Sequence, residues 1–249
     1  MNARYAKLPP PLRPEIAERA WSARESWRVF GIMAEFVEAT ERLSHITPAV
    51  SIFGSARARP DSPYYALAED IARRLSDSGF SVISGGGPGI MEAANRGATE
   101  AGGKTVGLNI RLPFEQGPNP YITDGLHFEF HYFFMRKFWF AYLAKALIVF
   151  PGGFGTLDEM FEILTLDQTD KLSKKLRVIL YGTDYWDQIL NLEPMLEWGA
   201  VSSEDVDMLC RVDTPEAAFE QLKEHLLTHH IVPATAQEAT APGIAKTRG

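Results

Sequence analysis

Apolar and amphipathic segments alternate along most of the chain. The clearest apolar runs, most of which end in glycine, are AVSIFGS, FSVISGGG, TVGLNI, LIVFPGG and RVILYG. Segments between them repeat apolar residues at helical spacing, as in YYALAEDIARRLSDSG, which Gly79 closes. Continuously apolar strands that alternate with helices are typical of a parallel sheet covered on both faces. The pattern predicts a Rossmann-like, doubly wound α/β fold, whose ligand lies beyond the carboxyl ends of the strands at the switch in strand order.

The other segments complete this prediction. GIMEAANRGATEAG, MRKFWFAYLAKA and TLDEMFEILTLDQ predict helices, and HFEFHYF alternates like a short strand. Further on, DYWDQILNLEPMLEWG predicts one helix and EAAFEQLKEHLLTHH predicts the last one.

The two ends of the chain differ from this alternating body. Residues 1–14 are proline-rich, and the stretch after residue 230 has the composition of a disordered tail. From Glu15 to about Ser44 the pattern is helical, with an apolar stripe that is expected to pack on the main domain or on another subunit. The stripe consists of Val29, Phe30, Ile32, Met33, Phe36 and Val37. We therefore divide the chain into an N-terminal extension and helical arm (1–47), a Rossmann-like domain (48–230) and a tail (231–249).

Composition excludes several classes of protein. The 249 residues are 45% hydrophobic, which suffices for a sizeable core, and the formal net charge of −7 argues against a nucleic-acid partner. The lone cysteine, Cys210, excludes a disulfide framework. The N-terminus has no apolar signal core, and no window approaches the ~18 apolar residues of a membrane span. We therefore expect a cytoplasmic protein without a membrane partner.

Three predicted strands end in glycine at what the fold makes one edge of the sheet. The three turns are FGSAR (53–57), SGGGPGIME (84–92) and PGGFGTLDE (151–159), and the last two run directly into helices. Glycine lets the backbone approach a ligand closely, and a helix N-terminus offers free N–H groups and a positive dipole end. The combination favours a phosphate site, although strand-to-helix turns also contain glycine for purely structural reasons.

The common nucleotide and metal motifs are incomplete. The dinucleotide pattern G-x-G-x-x-G fails because Ile90 stands where the third glycine belongs. A P-loop at GGKT (102–105) fails because Ala98 occupies the position of its first glycine. His127 and His131 lie four residues apart in a strand-like pattern, which does not favour a metal site.

Two charged positions stand in apolar surroundings. Arg136, beside Lys137 in an aromatic helix, either keeps its head in solvent or faces the glycine edge to meet an anion or orient a carboxylate. T-L-D-E has the pattern of a capping box, with Thr156 as N-cap and Glu159 at the third helical position. Glu159 also fits a general base or an ion stabiliser. Glu92 carries the same ambiguity.

PGGFGTLDE and the upstream MRK resemble the P-G-G-x-G-T-x-x-E motif and Arg-Lys pair of the Lonely Guy family of cytokinin riboside 5′-monophosphate phosphoribohydrolases. This family was long labelled "possible lysine decarboxylase". FGSAR, GGGPGIMEAANRGA and GLNIRLPFEQGPNPY resemble its longer, type II bacterial branch, and the resemblance runs from about Pro48 to about Asp213. It implies a Rossmann-like fold, homo-oligomers (dimers or higher), and hydrolysis of adenine or N6-prenyladenine nucleotides to the free base and ribose 5-phosphate.

The resemblance also implies roles for individual residues. Arg136 and Glu159 correspond to the essential catalytic pair. The PGGFGT backbone would hold the 5′-phosphate, with Lys137 and Thr165 nearby. The full set of implied substrate-binding positions is Gly54, Ser55, Gly86, Gly87, Glu115, Met135, Lys137, Gly152, Gly153, Gly155, Thr156 and Thr165.

The implied chemistry requires no metal or redox cofactor. Glu159 would stabilise an oxocarbenium-like ribose or activate water, and Arg136 would orient Glu159 or the ribose hydroxyls. The short plant-type members lack the FEFHYFF lead and the N-terminal arm, so plain AMP is a candidate substrate beside prenylated AMP. The alternatives are a nucleotide-binding or sensing module without turnover, and a decarboxylase, for which no Schiff-base lysine is identifiable.

Overall fold

The computed structural model describes residues 17–111, 117–172 and 174–230 of the chain. Within these residues seven parallel strands form one sheet in the order β4-β3-β2-β1-β5-β6-β7. The strands are β1 (Ala49–Phe53), β2 (Ser81–Ser84), β3 (Thr105–Ile110), β4 (His127–Phe130), β5 (Ala144–Val149), β6 (Arg177–Tyr181) and β7 (Leu209–Val212). The order reverses between β1 and β5, which confirms the doubly wound Rossmann-like fold and locates its switch point.

Helices cover both faces of this sheet. They are α1 (Ala17–Leu43), α2 (Pro63–Asp77), α3 (Ile90–Glu100), α4 (Phe133–Leu143), α5 (Phe154–Gln168), α6 (Thr183–Ile189), α7 (Glu193–Glu197), α8 (Ser203–Asp207) and α9 (Pro215–His229). Successive strand side chains enter opposite cores: Val178 and Leu180 pack with α1, α4, α5 and α6, whereas Ile179 and Tyr181 pack with α2, α3 and α9. This double burial explains the continuous apolar runs of the sequence.

The segment after β6 differs from the sequence prediction. The single helix expected over DYWDQILNLEPMLEWG is two short helices, because Leu190 leaves helical geometry (φ −115°, ψ 94°) and Pro194 cannot continue a helical hydrogen-bond ladder from the preceding turn. The sequence prediction also lacked α8 and the edge strand β7, whose LCRV stretch is half-buried and too short to give a strand pattern. Cys210 lies on β7 as a half-buried free thiol.

The arm helix α1 packs on the sheet domain through one side only. The Phe36 ring lies 5.3 Å from that of Phe138 and 5.5 Å from that of Trp139, while Ala39 and Leu43 are buried. The apolar stripe predicted from the sequence therefore divides: Ile32 and Phe36 face inward. Its other members are exposed, namely Val29, Phe30, Met33 and Val37.

The ends of the chain, residues 1–16 and 231–249, lie outside the described residues, and so do the predictions made for them. No helix in the described ranges combines the length and the apolar character that crossing a lipid bilayer requires.

Candidate active site

A cavity of about 790 Å³ opens at the carboxyl edge of the sheet, where the turns after β1, β2 and β5 meet. This is the switch point at which open α/β sheets bind ligands. The turns contribute residues 54–57, Gly85, Gly87 and residues 152–157 to its lining. Side chains from the surrounding helices and strands complete it, namely Phe53, Met91, Ile110, Phe133, Arg136, Glu159, Tyr185 and Ile189.

The peptide groups of the β1 turn bind both neighbouring turns. The Ser55 N–H donates to the Pro151 carbonyl over 3.0 Å, and the Ile90 N–H donates to the Ser55 carbonyl over 3.1 Å. A β-carbon on Gly54 would lie 2.7 Å from the Ile90 side chain, so glycine is required there by packing. These backbone contacts fix the three turns relative to one another and form the floor of the cavity.

The N-terminus of α5 faces this cavity. The helix begins at Phe154 with Gly153 as its N-cap, and no side chain caps it. The capping box predicted from T-L-D-E is therefore wrong: Thr156 and Glu159 lie inside the helix as its third and sixth residues. The extended backbone of Gly153 (φ −92°, ψ −154°) starts the helix earlier than the pattern indicated, and its first N–H groups have no intrahelical acceptor.

Glu159 and Arg136 form a buried ion pair at the cavity. The Arg136 Nη1 donates to Glu159 Oε1 over 3.0 Å, and their side chains are only 13% and 6% exposed. The Arg136 Nε also donates to the Leu108 carbonyl over 2.7 Å, which orients the guanidinium. Gly85 makes room for it, since a β-carbon there would lie 2.6 Å from Arg136 Nη2.

Burial and charge act in opposite directions on Glu159. Burial raises the pKa of its carboxyl above the ordinary value, and the positive charges of Arg136 and Lys137 lower that pKa in part. A carboxylate that is buried, paired and in contact with a cavity is a candidate for chemistry.

Lys137, next to Arg136, points toward carboxylates of α5 and not into the cavity. Its Nζ lies 2.8 Å from Asp158 Oδ1 and 3.0 Å from Glu162 Oε2, and it does not line the cavity. The two adjacent cations therefore differ in role: Arg136 reaches the cavity, and Lys137 ties α4 to α5.

The structure places other proposed substrate-binding residues away from the cavity. Met135 is buried in the core, and Gly86 lies behind the lining with its N–H donating to Ser84 Oγ over 3.0 Å. Thr165 donates to the Phe161 carbonyl and lines a separate cavity of about 120 Å³. Glu115 lies outside the described residues. The positions that do line the cavity are Gly54, Ser55, Gly87, Gly152, Gly153, Gly155 and Thr156.

Glu92, which the sequence left as either a helix-start residue or a site residue, makes a structural contact outside the cavity. Its Oε1 accepts a hydrogen bond of 2.9 Å from the Tyr65 hydroxyl, and it does not line the cavity. Burial and this bond raise the pKa of Tyr65 to about 12. Glu92 thus joins α3 to α2.

Several lining residues were not predicted from the sequence, among them Arg57, Gly85 and Tyr185. The Tyr185 hydroxyl donates to the Gly152 carbonyl over 2.6 Å, a contact between residues 33 positions apart that no local pattern encodes. Arg57 and Gly85 stand inside turns that the glycine pattern did mark.

Apolar side chains form the rim of the cavity. Phe154 is 91% exposed at the start of α5, and Phe133 and Ile189 are about half exposed. A polar, charged floor beneath an apolar rim suits a ligand with an anionic end and a flat, apolar end.

Fold and site together define a Rossmann-like domain with a cavity at its switch point, lined by a helix N-terminus and a buried ion pair. Residues 91–222 match the family model described as "Possible lysine decarboxylase". A cytokinin riboside 5′-monophosphate phosphoribohydrolase of Rhodococcoides fascians is 32% identical over 147 residues, which cover 57% of this chain and 72% of the relative. The chain therefore belongs to this family, the Lonely Guy family.

A further relative agrees with this assignment, and two solved structures share the fold. The cytokinin riboside 5′-monophosphate phosphoribohydrolase LOG of Oryza sativa subsp. japonica is 25% identical, with 77% of this chain and 78% of the relative covered. A molybdenum cofactor binding protein from Rippkaea orientalis superposes with a TM-score of 0.54 at 22% identity, covering 71% of this chain and 96% of that one. A Moco carrier protein from Chlamydomonas reinhardtii gives a TM-score of 0.52 at 20% identity, over 73% of this chain and 98% of that one. At these identities the two structures support the fold alone.

Proposed function

We propose that this protein hydrolyses the N-glycosidic bond of adenine or N6-prenyladenine nucleoside 5′-monophosphates, releasing the free base and ribose 5-phosphate. The observation that carries the proposal is the buried Arg136–Glu159 pair, which faces the same cavity as the uncapped N-terminus of α5. The relatives are cytokinin riboside 5′-monophosphate phosphoribohydrolases, which supports the same reaction class.

Glu159 is assigned to the reacting carbon. Water adds to C1′ of the ribose as the bond to the base nitrogen breaks, the water loses a proton, and the departing base gains one. The ribose ring becomes positive on the way, as in glycoside hydrolysis. The Glu159 carboxylate stabilises that charge or takes the proton of the attacking water.

Arg136 keeps the Glu159 carboxyl ionised and oriented for this role. A carboxyl buried without a partner would become protonated near neutral pH, since burial disfavours the charged form. The guanidinium, 3.0 Å away and held by the Leu108 carbonyl, opposes that shift and fixes the direction of the carboxylate.

The α5 N-terminus is assigned to the phosphate. Its first N–H groups and the positive end of the helix dipole suit an anion. A gripped phosphate supplies binding energy remote from the reacting bond and positions the sugar over Glu159. The proposal therefore predicts nucleotides as substrates in preference to nucleosides.

The described lining of the cavity argues against lysine decarboxylation there. Pyridoxal phosphate reacts through a Schiff base with a lysine, and no lysine occurs among the described lining residues. The nearby Lys137 is engaged with Asp158 and Glu162.

A panel of substrates tests the proposal directly. The protein is incubated with AMP, N6-prenyl-AMP, GMP, CMP and adenosine, and the products are separated by chromatography. We expect free adenine or prenyladenine together with ribose 5-phosphate, and little release from adenosine. Tight AMP binding without release of base would favour the nucleotide-sensing alternative.

Two glutamates that each follow a glycine-rich turn supply a matched pair of variants. Glu159→Gln keeps the size and the hydrogen-bond acceptor but removes the charge, so kcat should fall about a thousandfold while the protein still binds AMP. Glu92→Gln, at a residue that does not line the cavity, should leave kcat within about twofold. Equal activity of Glu159→Gln and wild type would refute the assignment.

We also propose that the protein forms homo-oligomers, a dimer or higher. The support is the exposed apolar side of α1, where Phe30, Met33 and Val37 are each more than half exposed. Sedimentation of the wild type and of a Phe30→Glu, Met33→Glu variant tests this: the variant should sediment as a smaller species.

A further inference from the structure

The charges around the cavity do not balance. Among the described lining residues Arg57, Arg136 and Glu159 carry charge. Arg136 and Glu159 are paired at 3.0 Å and largely neutralise each other, while the neighbouring Lys137 is bound to carboxylates outside the cavity. The positive charge of Arg57 is therefore left over for a ligand.

Arg57 lines the same cavity as the α5 N-terminus, and the turn that carries it is bonded to the turn before α5. Its backbone N–H donates to Ser55 Oγ over 3.1 Å, and the Ser55 N–H donates to the Pro151 carbonyl over 3.0 Å. Through Ser55 these two bonds connect the Arg57 backbone to the turn that precedes α5. The Arg57 side chain is exposed and forms no ion pair with any described residue.

Arg59, two positions along the same loop, behaves differently. Its Nε lies 3.3 Å from Asp61 Oδ1, its side chain is exposed, and it does not line the cavity. The two arginines of this loop thus differ in charge compensation: Arg57 lines the cavity without an ion-pair partner among the described residues, and Arg59 pairs with Asp61 outside the cavity.

A helix N-terminus alone does not match the charge of a phosphate monoester. The helix dipole amounts to roughly half a positive charge, whereas a phosphate monoester carries about −1.5 to −2 at neutral pH. A guanidinium adds a full charge and a planar fork of donors that fits phosphate oxygens.

We propose that Arg57 binds the 5′-phosphate of the substrate and gives the site its preference for nucleotides over nucleosides. This inference rests on the proposed function for the identity of the ligand. It assigns to the β1 turn a specificity-determining role that the family motifs around residues 136 and 151–159 leave open.

Binding measurements on full-length protein test this without any need for turnover. Calorimetric titrations compare AMP, ribose 5-phosphate and adenosine on the wild type, Arg57→Met, Arg57→Lys and Arg59→Met, with Glu159→Gln as background in all four where hydrolysis interferes. Arg57→Met should raise the Kd of AMP and of ribose 5-phosphate about 10- to 100-fold, the usual cost of a lost charge-assisted bond. The Kd of adenosine should stay within about twofold, because adenosine has no phosphate to lose.

The other two variants separate the charge of Arg57 from its geometry and from a general effect of losing an arginine in this loop. Arg57→Lys should give an intermediate Kd, since the charge remains and the fork is lost. Arg59→Met should bind all three ligands like the wild type. Added salt should weaken AMP binding more in the wild type than in Arg57→Met, because the screened charge is already absent from the variant.

Two outcomes would overturn the inference. One is wild-type affinity of Arg57→Met for AMP and ribose 5-phosphate; the other is an equal loss for AMP and adenosine, which would mean a general disturbance of the pocket. Failure of the proposed reaction is a separate result: it appears as absence of base release by the wild type while the Arg57-dependent preference for phosphate persists.

Discussion

The turns after β2 and β5 contain similar numbers of glycines, but several of these glycines have opposite surroundings. In the β2 turn the polar groups are satisfied within the protein: the Asn119 N–H donates to the Gly86 carbonyl over 2.8 Å, and Asn119 Nδ2 donates to the Gly87 carbonyl over 3.0 Å. In the β5 turn a β-carbon on Gly153 or Gly155 would meet nothing within 4 Å.

A glycine can be required either because the protein's own atoms fill the space of a side chain or because that space must stay open. At the β2 turn glycine makes room for the protein's own atoms, since a β-carbon on Gly86 would overlap Asn109 and one on Gly85 would crowd Arg136. At the β5 turn Gly153 and Gly155 leave space beside an uncapped helix N-terminus. The contrast is therefore between Gly86, which serves internal packing, and Gly153 and Gly155, which leave open space at the cavity.

Arg136 lies against Gly85 of the β2 turn and pairs with Glu159 of α5, so its loss should strongly reduce activity. Arg136→Met leaves Glu159 buried without its partner, so the pKa of Glu159 should rise further above its ordinary value. We expect kcat/KM at neutral pH to fall about 100- to 1000-fold and the acidic limb of the pH profile to move to higher pH. An acidic limb at the wild-type position would show that Arg136 does not control this ionisation.

Gly86→Ala should mainly affect stability. Gly86 has φ +73°, and the added methyl group would displace Asn109, so the free energy of unfolding should fall by about 2–4 kcal/mol in urea titrations. Gly79→Ala is the matched control, because φ is +86° there and the space is open. It should lose only the backbone contribution of about 1–2 kcal/mol. Equal losses in the two variants would contradict the crowding argument.

Gly153→Ala should show the opposite behaviour. Its φ of −92° is accessible to alanine and its surroundings are open, so the free energy of unfolding should change by no more than about 0.5 kcal/mol. The Kd of AMP should nevertheless rise about tenfold, since a methyl group would intrude on the ligand at a cost of about 1–3 kcal/mol. Unchanged AMP affinity would mean that no ligand occupies this space.

Tyr185→Phe should have the smallest effect. The Tyr185 hydroxyl holds the Gly152 carbonyl, and because the peptide is planar it also fixes the direction of the Gly153 N–H on the opposite side. Loss of this hydrogen bond, worth about 1 kcal/mol, should raise KM for AMP about fivefold. Tyr181→Phe, which loses a bond of 2.9 Å to the Asp213 carbonyl away from the cavity, is the control. Its KM should match the wild type, and a similar rise there would point to a general loss of rigidity.

The fold was predictable because its strands are buried on both faces. Residues such as Val178 and Ile179 enter different cores, which leaves no polar alternation in the strand and marks a parallel sheet. β7 escaped prediction because an edge strand such as LCRV is only half-buried. The location of the site followed from the fold, since the glycine turns of a parallel sheet share one edge.

The chemistry of the site was less accessible from local patterns. Spacing left Arg136 and Glu159 with two roles each, and the resemblance to a family decided between them. The T-L-D-E pattern misplaced the helix start because the helix begins at Phe154, two residues before Thr156, with Gly153 as its N-cap. Tyr185 depends on a contact across 33 residues, for which a sequence carries no local signal.

The backbone hydrogen bonds of Ser55 affect which parts of this pocket can tolerate substitution during evolution. Its N–H and carbonyl bind the two neighbouring turns, and every residue except proline, which lacks the N–H, supplies both groups. The floor is thereby insulated from most substitutions at that position. The rim has no such protection, because Phe133, Phe154 and Ile189 contribute only their side chains. Divergence in substrate range should accumulate at the rim while the geometry of the floor is inherited unchanged.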